Sequence, residues 1–156
     1  AQAVGAQQYK IGVIDLQRCI SESKEGKRVF EALKEKKATV QKRLDEKQRE
    51  LLEIKEQLEK QTMMLSMDAR EDKKKEFERK GRELKYLYDD ATEEMRKAEA
   101  EEKKHILKEL EVIVRRIGEE GKYQLILEIR SGGIIFNSDT IDITERVIKE
   151  YDKTKK

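Results

Sequence analysis

The stretch KYQLILEIRSGGIIFNSDTIDIT, Lys122 to Thr144, decides the fold. Tyr123, Leu125, Leu127 and Ile129 alternate onto one face and read as a strand. Ser131, Gly132 and Gly133 turn the chain, and Ile134, Ile135 and Phe136 read as a further short strand. Asp142 and Glu145 stand at capping-box spacing. They precede a last helix that places Ile143, Val147 and Tyr151 at intervals of four. Such a segment is out of character here. Charged residues make up 45% of the 156, against about 25% in an ordinary domain.

The residues before it read as long helix. The chain has no Pro and no Trp, and Gly81 is the only glycine between Gly26 and Gly118. Charge at this density is also the mark of disorder, so periodicity has to decide. Phe30, Lys37, Leu44, Leu51, Leu58 and Leu65 recur every seven residues, with Leu33, Val40, Lys47, Ile54 and Gln61 interleaved. Apolar side chains fill most of these positions, and the others have stems long enough to lie along a seam. That predicts a coiled-coil helix over 27–65, about 58 Å long at about 1.5 Å per residue. Ser66 and Asp68 are candidate caps, the latter at capping-box spacing from Glu71. A second helix over 69–117 carries Phe77, Gly81, Leu84, Tyr88, Ala91, Met95 and Ala98 on its seam. It shifts register across Glu102 and goes on through Ile106, Leu110, Ile113 and Ile117. Gly118 or Gly121 closes it.

Two long helices joined by a short turn fold back antiparallel. That brings the chain ends together. Tyr9 to Asp15, with Tyr9, Ile11 and Val13 on one face, reads as a strand that can pair with the one at Tyr123 to Ile129. The LQRCISES run from Leu16 reads as one or two helical turns, and Ser23 to Gly26 as a joint. Three short strands with apolar residues on both faces cannot close a core in one chain. Copies of the chain are expected to cover the open edges.

Several function classes are excluded or disfavoured. The 36 basic and 34 acidic residues are interleaved and leave a net charge of only +2, so no basic face for nucleic acid emerges. Cys19 is the only cysteine, and no run approaches the roughly 18 apolar residues of a membrane span. His105 is the only histidine; with Glu102 it makes one Glu-x-x-His, where a di-iron bundle needs two and further carboxylates. One His and one Cys build no nucleophilic triad. No enzyme, metal or cofactor is expected. GEEGK at Gly118 to Lys122 lacks the spacing and hydroxyl of a phosphate loop.

The turn between the helices gathers Met63, Met64 and Met67, three of the four methionines. Thioether side chains adapt their shape and suit promiscuous apolar contact. Closing the turn is the plainer role for them. From Arg70 to Lys85 eight basic residues face five acidic ones, which makes this end mildly basic. Tyr86 and Tyr88 are seam residues or contacts for a bound chain. Gly81, on the seam, costs up to about 1 kcal/mol against Ala. Close helix approach or a flexible point would explain it.

IGVIDLQRCISESKEGK near the start, LSMDAR at the turn and GKYQLILEIRSGGIIFNSDTIDITERVIK at the end together resemble the Skp/OmpH family of periplasmic chaperones. The resemblance covers residues 9–151; its helices match mainly in pattern. It implies an α+β homotrimer. Each chain would carry a long antiparallel α-helical coiled-coil hairpin, a tentacle, on a small β-strand body that completes a β-barrel by trimerisation. On that reading residues 1–8 are a flexible N-terminus. Residues 9–26 and 118–156 form the trimerisation body, with Ile11, Val13, Leu125, Leu127, Ile134 and Phe136 in it. Residues 27–117 form the tentacle, with its tip at 63–72. Met63, Met64, Met67, Tyr86 and Tyr88 become candidates for client contact, and Gly81 a flex point. The family's proposed lipopolysaccharide patch falls on Lys85, Arg96 and Lys97, with Ala98 where a second basic residue is expected.

The function implied is an ATP-independent holdase. It would bind unfolded outer-membrane proteins between the tentacles, prevent their aggregation and deliver them for insertion. Its location would be the periplasm, and the small residues of AQAVGAQQ suit the end of a signal-peptide cleavage site. Lipopolysaccharide or an anionic membrane surface is a further partner on this reading, and nucleic acid is not. The alternative is a structural coiled-coil spacer or scaffold trimerised by its β-body. A prefoldin-like chaperone has the opposite chain order, with its ends at the helix tips.

Overall fold

The computed structural model describes residues 9–60 and 63–155. Residues 1–8, expected as a flexible terminus, and Gln61, expected on the seam, lie outside the described residues. The elements are β1 (Ile11–Ile14), α1 (Leu16–Glu22), α2 (Lys24–Lys60), α3 (Met67–Glu120), β2 (Leu125–Glu128), a 3-10 turn (Asp139–Ile141) and α4 (Thr144–Lys153). They group into two compact units. One is drawn from the chain's two ends, up to Glu31 and from Ala100 onward, and the other is Ala32–Glu99.

In the first unit β1 and β2 pair in parallel, from Ile11 opposite Leu125 to Ile14 opposite Glu128. Parallel neighbours need a long crossover, which α1 to α3 supply in sequence. The ladder extends at both ends, where the Gln124 amide donates to the Lys10 carbonyl (2.9 Å) and the Ile129 amide to the Ile14 carbonyl (2.8 Å). Gly12 makes room for the Tyr123 ring, whose nearest carbon would lie 3.1 Å from a Cβ there. The other edge of β1 meets Asp142, and the Ile143 amide donates to the Val13 carbonyl at 2.9 Å.

That contact corrects the expectation of a strand at Ile134 to Phe136. No strand forms there among the described residues. The place beside β1 is already taken by Asp142 and Ile143, and the Ile-Ile-Phe run does not return to the outer edge of β2.

The core follows from these contacts. Val13, Ile14, Cys19, Ile106, Leu110, Ile113, Ile117, Ile143, Val147, Ile148 and Tyr151 are all buried. Asp15 caps α1 by accepting from the Arg18 amide. Arg18 in turn reaches Glu145 at 2.6 Å, so Glu145 ties α1 to α4 rather than closing a capping box. Asp142 does accept from the Thr144 amide at 2.8 Å. The joint expected at Ser23 to Gly26 is narrower than that. Only Ser23 leaves the helix, and α2 begins at Lys24. The buried Ser23 hydroxyl accepts from the Gly26 amide at 3.1 Å.

The second helix ends in a Schellman motif. The Tyr123 amide donates to the Gly118 carbonyl, and the Lys122 amide to the Glu119 carbonyl. The left-handed position is Lys122, with φ 54°, not a glycine. Gly121 precedes it because a Cβ there would sit 2.6 Å from the Tyr123 ring and 2.8 Å from the Ile117 carbonyl oxygen.

In the unit Ala32–Glu99, α2 and α3 run antiparallel. Gln57 meets Lys73 (2.7 Å), Glu50 meets Lys80 (3.2 Å) and Lys36 meets Glu94 (2.8 Å), so position falls on one helix as it rises on the other. Ser66 is the cap of α3, its hydroxyl accepting from the Ala69 amide and its carbonyl from the Arg70 amide. Asp68 lies inside the helix.

The seam departs from the expected positions at three places. Val29 is 7% exposed and Phe30 65%, so Val29 faces inward where Phe30 was expected. Likewise Lys36 is half-buried and Lys37 exposed. Inward positions therefore run 29, 33, 36, 40, 44, a pair of four-residue steps that a strict heptad forbids. On α3, Leu87 is half-buried and Tyr88 exposed, so Leu87 takes the seam position.

Candidate functional site

After the turn between α2 and α3, Ser66 caps the start of α3 through both its hydroxyl and its carbonyl. The methionine side chains around it take no part in those bonds. Met63 is 100% exposed, Met64 87% and Met67 86%. Leu65 alone of the group is half-buried. Three thioether side chains therefore stand in solvent within five residues.

Farther along α3, Tyr86 and Tyr88 are both exposed. Two residues apart on a helix, they lie roughly 200° apart and cannot share a face. Only Tyr88 borders the groove of about 390 Å³ between the two helices. Val40, Leu44, Ala91 and Met95 floor that groove, and Lys37, Arg96 and Glu99 rim it. Tyr88 thus gives the groove an aromatic wall with a polar tip.

Lys85 and Arg96 are eleven residues apart, about three turns, and so face the same way within roughly 20°. Both are exposed. Arg96 is a fork onto Glu93, at 2.9 and 2.8 Å, and Lys97 approaches the same carboxylate at 3.5 Å. The Arg96 guanidinium holds the Glu93 carboxyl down to about 2, against a smaller opposing effect of desolvation. One carboxylate therefore answers two cations, and the pair keeps one surplus positive charge. Gly81 sits within α3 with no atom inside 4 Å of where its Cβ would be, which removes close helix approach as its explanation.

In the other unit, Val13 is buried in the chain's own core. Ile11 and Leu125 are nearly half exposed, Leu127 and Ile134 half-buried. Ile135 is fully exposed and Phe136 86% exposed. Among the described residues β2 pairs with β1 alone, so its outer edge is open to them. Sequence periodicity missed Ile135 and Val112 as exposed apolar side chains, because alternation does not say which face lacks a neighbour.

His105 lies 3.4 Å from Glu109, four residues on, rather than on Glu102. Glu109 also accepts from the Tyr151 hydroxyl and from Lys155 at 2.6 Å. Burial raises the Glu109 carboxyl, but the bonds from Lys155 and Tyr151 together leave it below its usual value. No sequence pattern marks this trio, whose members come from two helices and the chain's end. Among the described residues no group of three His, Cys, Asp or Glu side chains is placed to hold a metal ion.

The family of outer membrane proteins described as OmpH-like matches residues 10–151. The chain belongs to the OmpH-like family. A crystal structure of a candidate outer membrane chaperone (OmpH-like) from Caulobacter crescentus CB15 superposes with a TM-score of 0.86. It is 18% identical, and the match covers 99% of this chain and 90% of that one. At that identity it shows the fold alone. No curated protein matches the sequence.

Within the OmpH-like fold, the positions named for client contact and for the basic patch fall in Ala32–Glu99, and those named for assembly fall in the other unit.

Proposed function

We propose that this OmpH-like protein is a holdase chaperone that works without ATP. It would bind unfolded outer-membrane proteins, keep them from aggregating and release them for membrane insertion in the periplasm. The observation that carries the reading is the family match across residues 10–151. The exposed Met63, Met64 and Met67, with Tyr86 and Tyr88, supply a surface that suits it. Unfolded barrel strands present alternating apolar side chains of no fixed spacing, and flexible thioethers adapt to such a target. Many weak contacts add through multivalency while each exchanges freely, so folding into the membrane can draw the client away without nucleotide.

Assembly belongs to the same proposal. The open edge of β2 and the exposed Ile11, Leu125, Ile135 and Phe136 call for copies of the chain, and a homotrimer that closes a barrel would cover them. Gly81 would be a flex point within the tentacle. Lys85, Arg96 and Lys97 would form an anionic-ligand patch for lipopolysaccharide or a membrane surface.

The test is to measure the mass in solution, then dilute a denatured outer-membrane barrel protein with and without the chain while following light scattering. Suppression at one trimer per client is expected. A monomer, or scattering that rises unchanged, sinks the holdase reading. An oligomer without suppression leaves the chain as a coiled-coil spacer.

A further inference from the structure

The sulfur atoms of this chain are sorted by exposure. Cys19 is 0% exposed. Burial first, and the Asp15 charge after it, push its thiol up to about 12, so the reactive thiolate is scarce. Met95 is half-buried on the floor of the groove beside Val40 and Leu44. Met63, Met64 and Met67 stand wholly or nearly wholly in solvent, beside the Ser66 cap of α3. The sequence has no Trp to compete.

We propose that Met63, Met64 and Met67 are a sulfoxidation site, through which a peroxide oxidant weakens the tip's grip on apolar segments and leaves the fold intact. In the step, a thioether lone pair attacks one peroxide oxygen. An S–O bond forms and the O–O bond breaks. The departing hydroxide takes the proton of the transferred oxygen and leaves as water. Sulfur loses two electrons and the peroxide gains them. The product is a polar, chiral sulfoxide that reductases can return to the thioether.

Selectivity comes from access, because three sulfurs are open and two are not. Tolerance comes from contact, because side chains 86–100% exposed bury almost no surface that oxidation could disturb. An oxygen added to Met95 would instead enter the apolar groove floor. The effect on capture rests on the holdase reading above.

The experiment treats the full-length chain with hydrogen peroxide. Peptide mass spectrometry follows each methionine, and circular dichroism melting and client capture are read on the same samples. The three tip methionines should oxidise at least about tenfold faster than Met95, with the melt unchanged. Capture should fall several-fold and return after methionine sulfoxide reductase. A variant carrying Met63→Leu, Met64→Leu and Met67→Leu should keep its capture through the treatment. Met95 keeping pace with the tip overturns the proposal. So does a melt that collapses as the tip oxidises, capture unchanged once it is fully oxidised, or a leucine variant that loses capture as the parent does. An untreated chain that captures nothing overturns the holdase reading and the capture effect with it, while the order of oxidation rates still decides the site.

Discussion

Arg130 grips Asp15 across 115 positions of sequence, its guanidinium donating to both carboxylate oxygens at 3.1–3.2 Å. The same carboxylate caps α1 at the Arg18 amide (3.0 Å), and the Asp15 amide donates to the Thr144 hydroxyl (2.9 Å). One residue thus ties the end of β1 to α1, to the turn after β2 and to the start of α4. The Arg130 bonds hold the Asp15 carboxyl below its usual value, although burial pushes the other way.

A depressed carboxyl contributes stability that is present above its unfolded value, near about 4, and is lost as pH falls through the folded one. Urea unfolding of the parent should therefore weaken below about pH 4. Asp15→Asn keeps an acceptor for the cap and loses the charge, so its profile should be flatter over that range. Asp15→Ala loses the cap as well and should be less stable than Asp15→Asn by about 1 kcal/mol. Equal stabilities for the two variants would mean that Asp15 does not cap α1 in solution.

Two helical glycines should answer Ala in opposite directions. At Gly26 a Cβ would lie 1.5 Å from the Ile20 carbonyl oxygen, so α1 and α2 must part at the Ser23 joint. Gly26→Ala should cost about 3 kcal/mol, the upper range of overpacking. At Gly81 nothing lies within 4 Å, and Ala removes the entropy cost of glycine in a helix. Gly81→Ala should gain about 0.5–1 kcal/mol in thermal or urea unfolding. If Gly81 is a flex point, the same variant should also hold large clients less well than small ones.

Gly26 also shows where sequence reading reached and where it stopped. Its place after Ser23 marked a joint, but the backbone contact that demands glycine is a tertiary fact. The long helices were legible because apolar residues recur at helical spacing, and the β1–β2 pairing because the hairpin returns the chain ends. Phe30 and Tyr88 were misplaced for one reason. A heptad template assigns each position by count, and at Val29 and Leu87 the helices shift by one residue to bury the aliphatic neighbour. The strand expected at Ile134 to Phe136 failed because β propensity is silent about whether the turn before it returns the chain to an open edge. Of the surface positions, the tip methionines were legible as a cluster, whereas their exposure was not, because apolar residues at a turn read equally well as its packing.

Tyr151 is fully buried, and its hydroxyl donates to Glu109. Tyr151→Phe should cost about 1 kcal/mol, since Lys155 still answers Glu109. Burial first and the Glu109 bond second push the Tyr151 hydroxyl up, and burial raises Cys19 likewise. Raised acids of this kind give stability that is complete below their unfolded values and lost as pH rises through the folded ones. The fold should therefore weaken above about pH 9. Native Cys19 should resist a thiol reagent at pH 8 and react at once in urea. Rapid labelling of the folded chain would show that the α1–α4 packing opens freely.

Ile135 and Phe136 should matter to assembly and not to the fold of a single chain. Both stand in solvent just after Gly133, whose φ of 66° is the left-handed conformation of a turn. Burying one such side chain is worth roughly 1.5–3 kcal/mol, so a closed ring of copies gains several times that from this pair. Asp at both positions would forfeit the gain and place unpaired carboxylates in the interface. Sedimentation across a concentration series should find the parent heavier than one chain at every concentration. The Ile135→Asp, Phe136→Asp variant should fall toward the single-chain mass while circular dichroism keeps its helical signal. An unchanged mass would move the interface off this loop and onto the half-exposed Ile11 and Leu125, where Leu125→Lys repeats the measurement. Loss of helix in the monomeric variant would show instead that a chain needs its neighbours in order to fold.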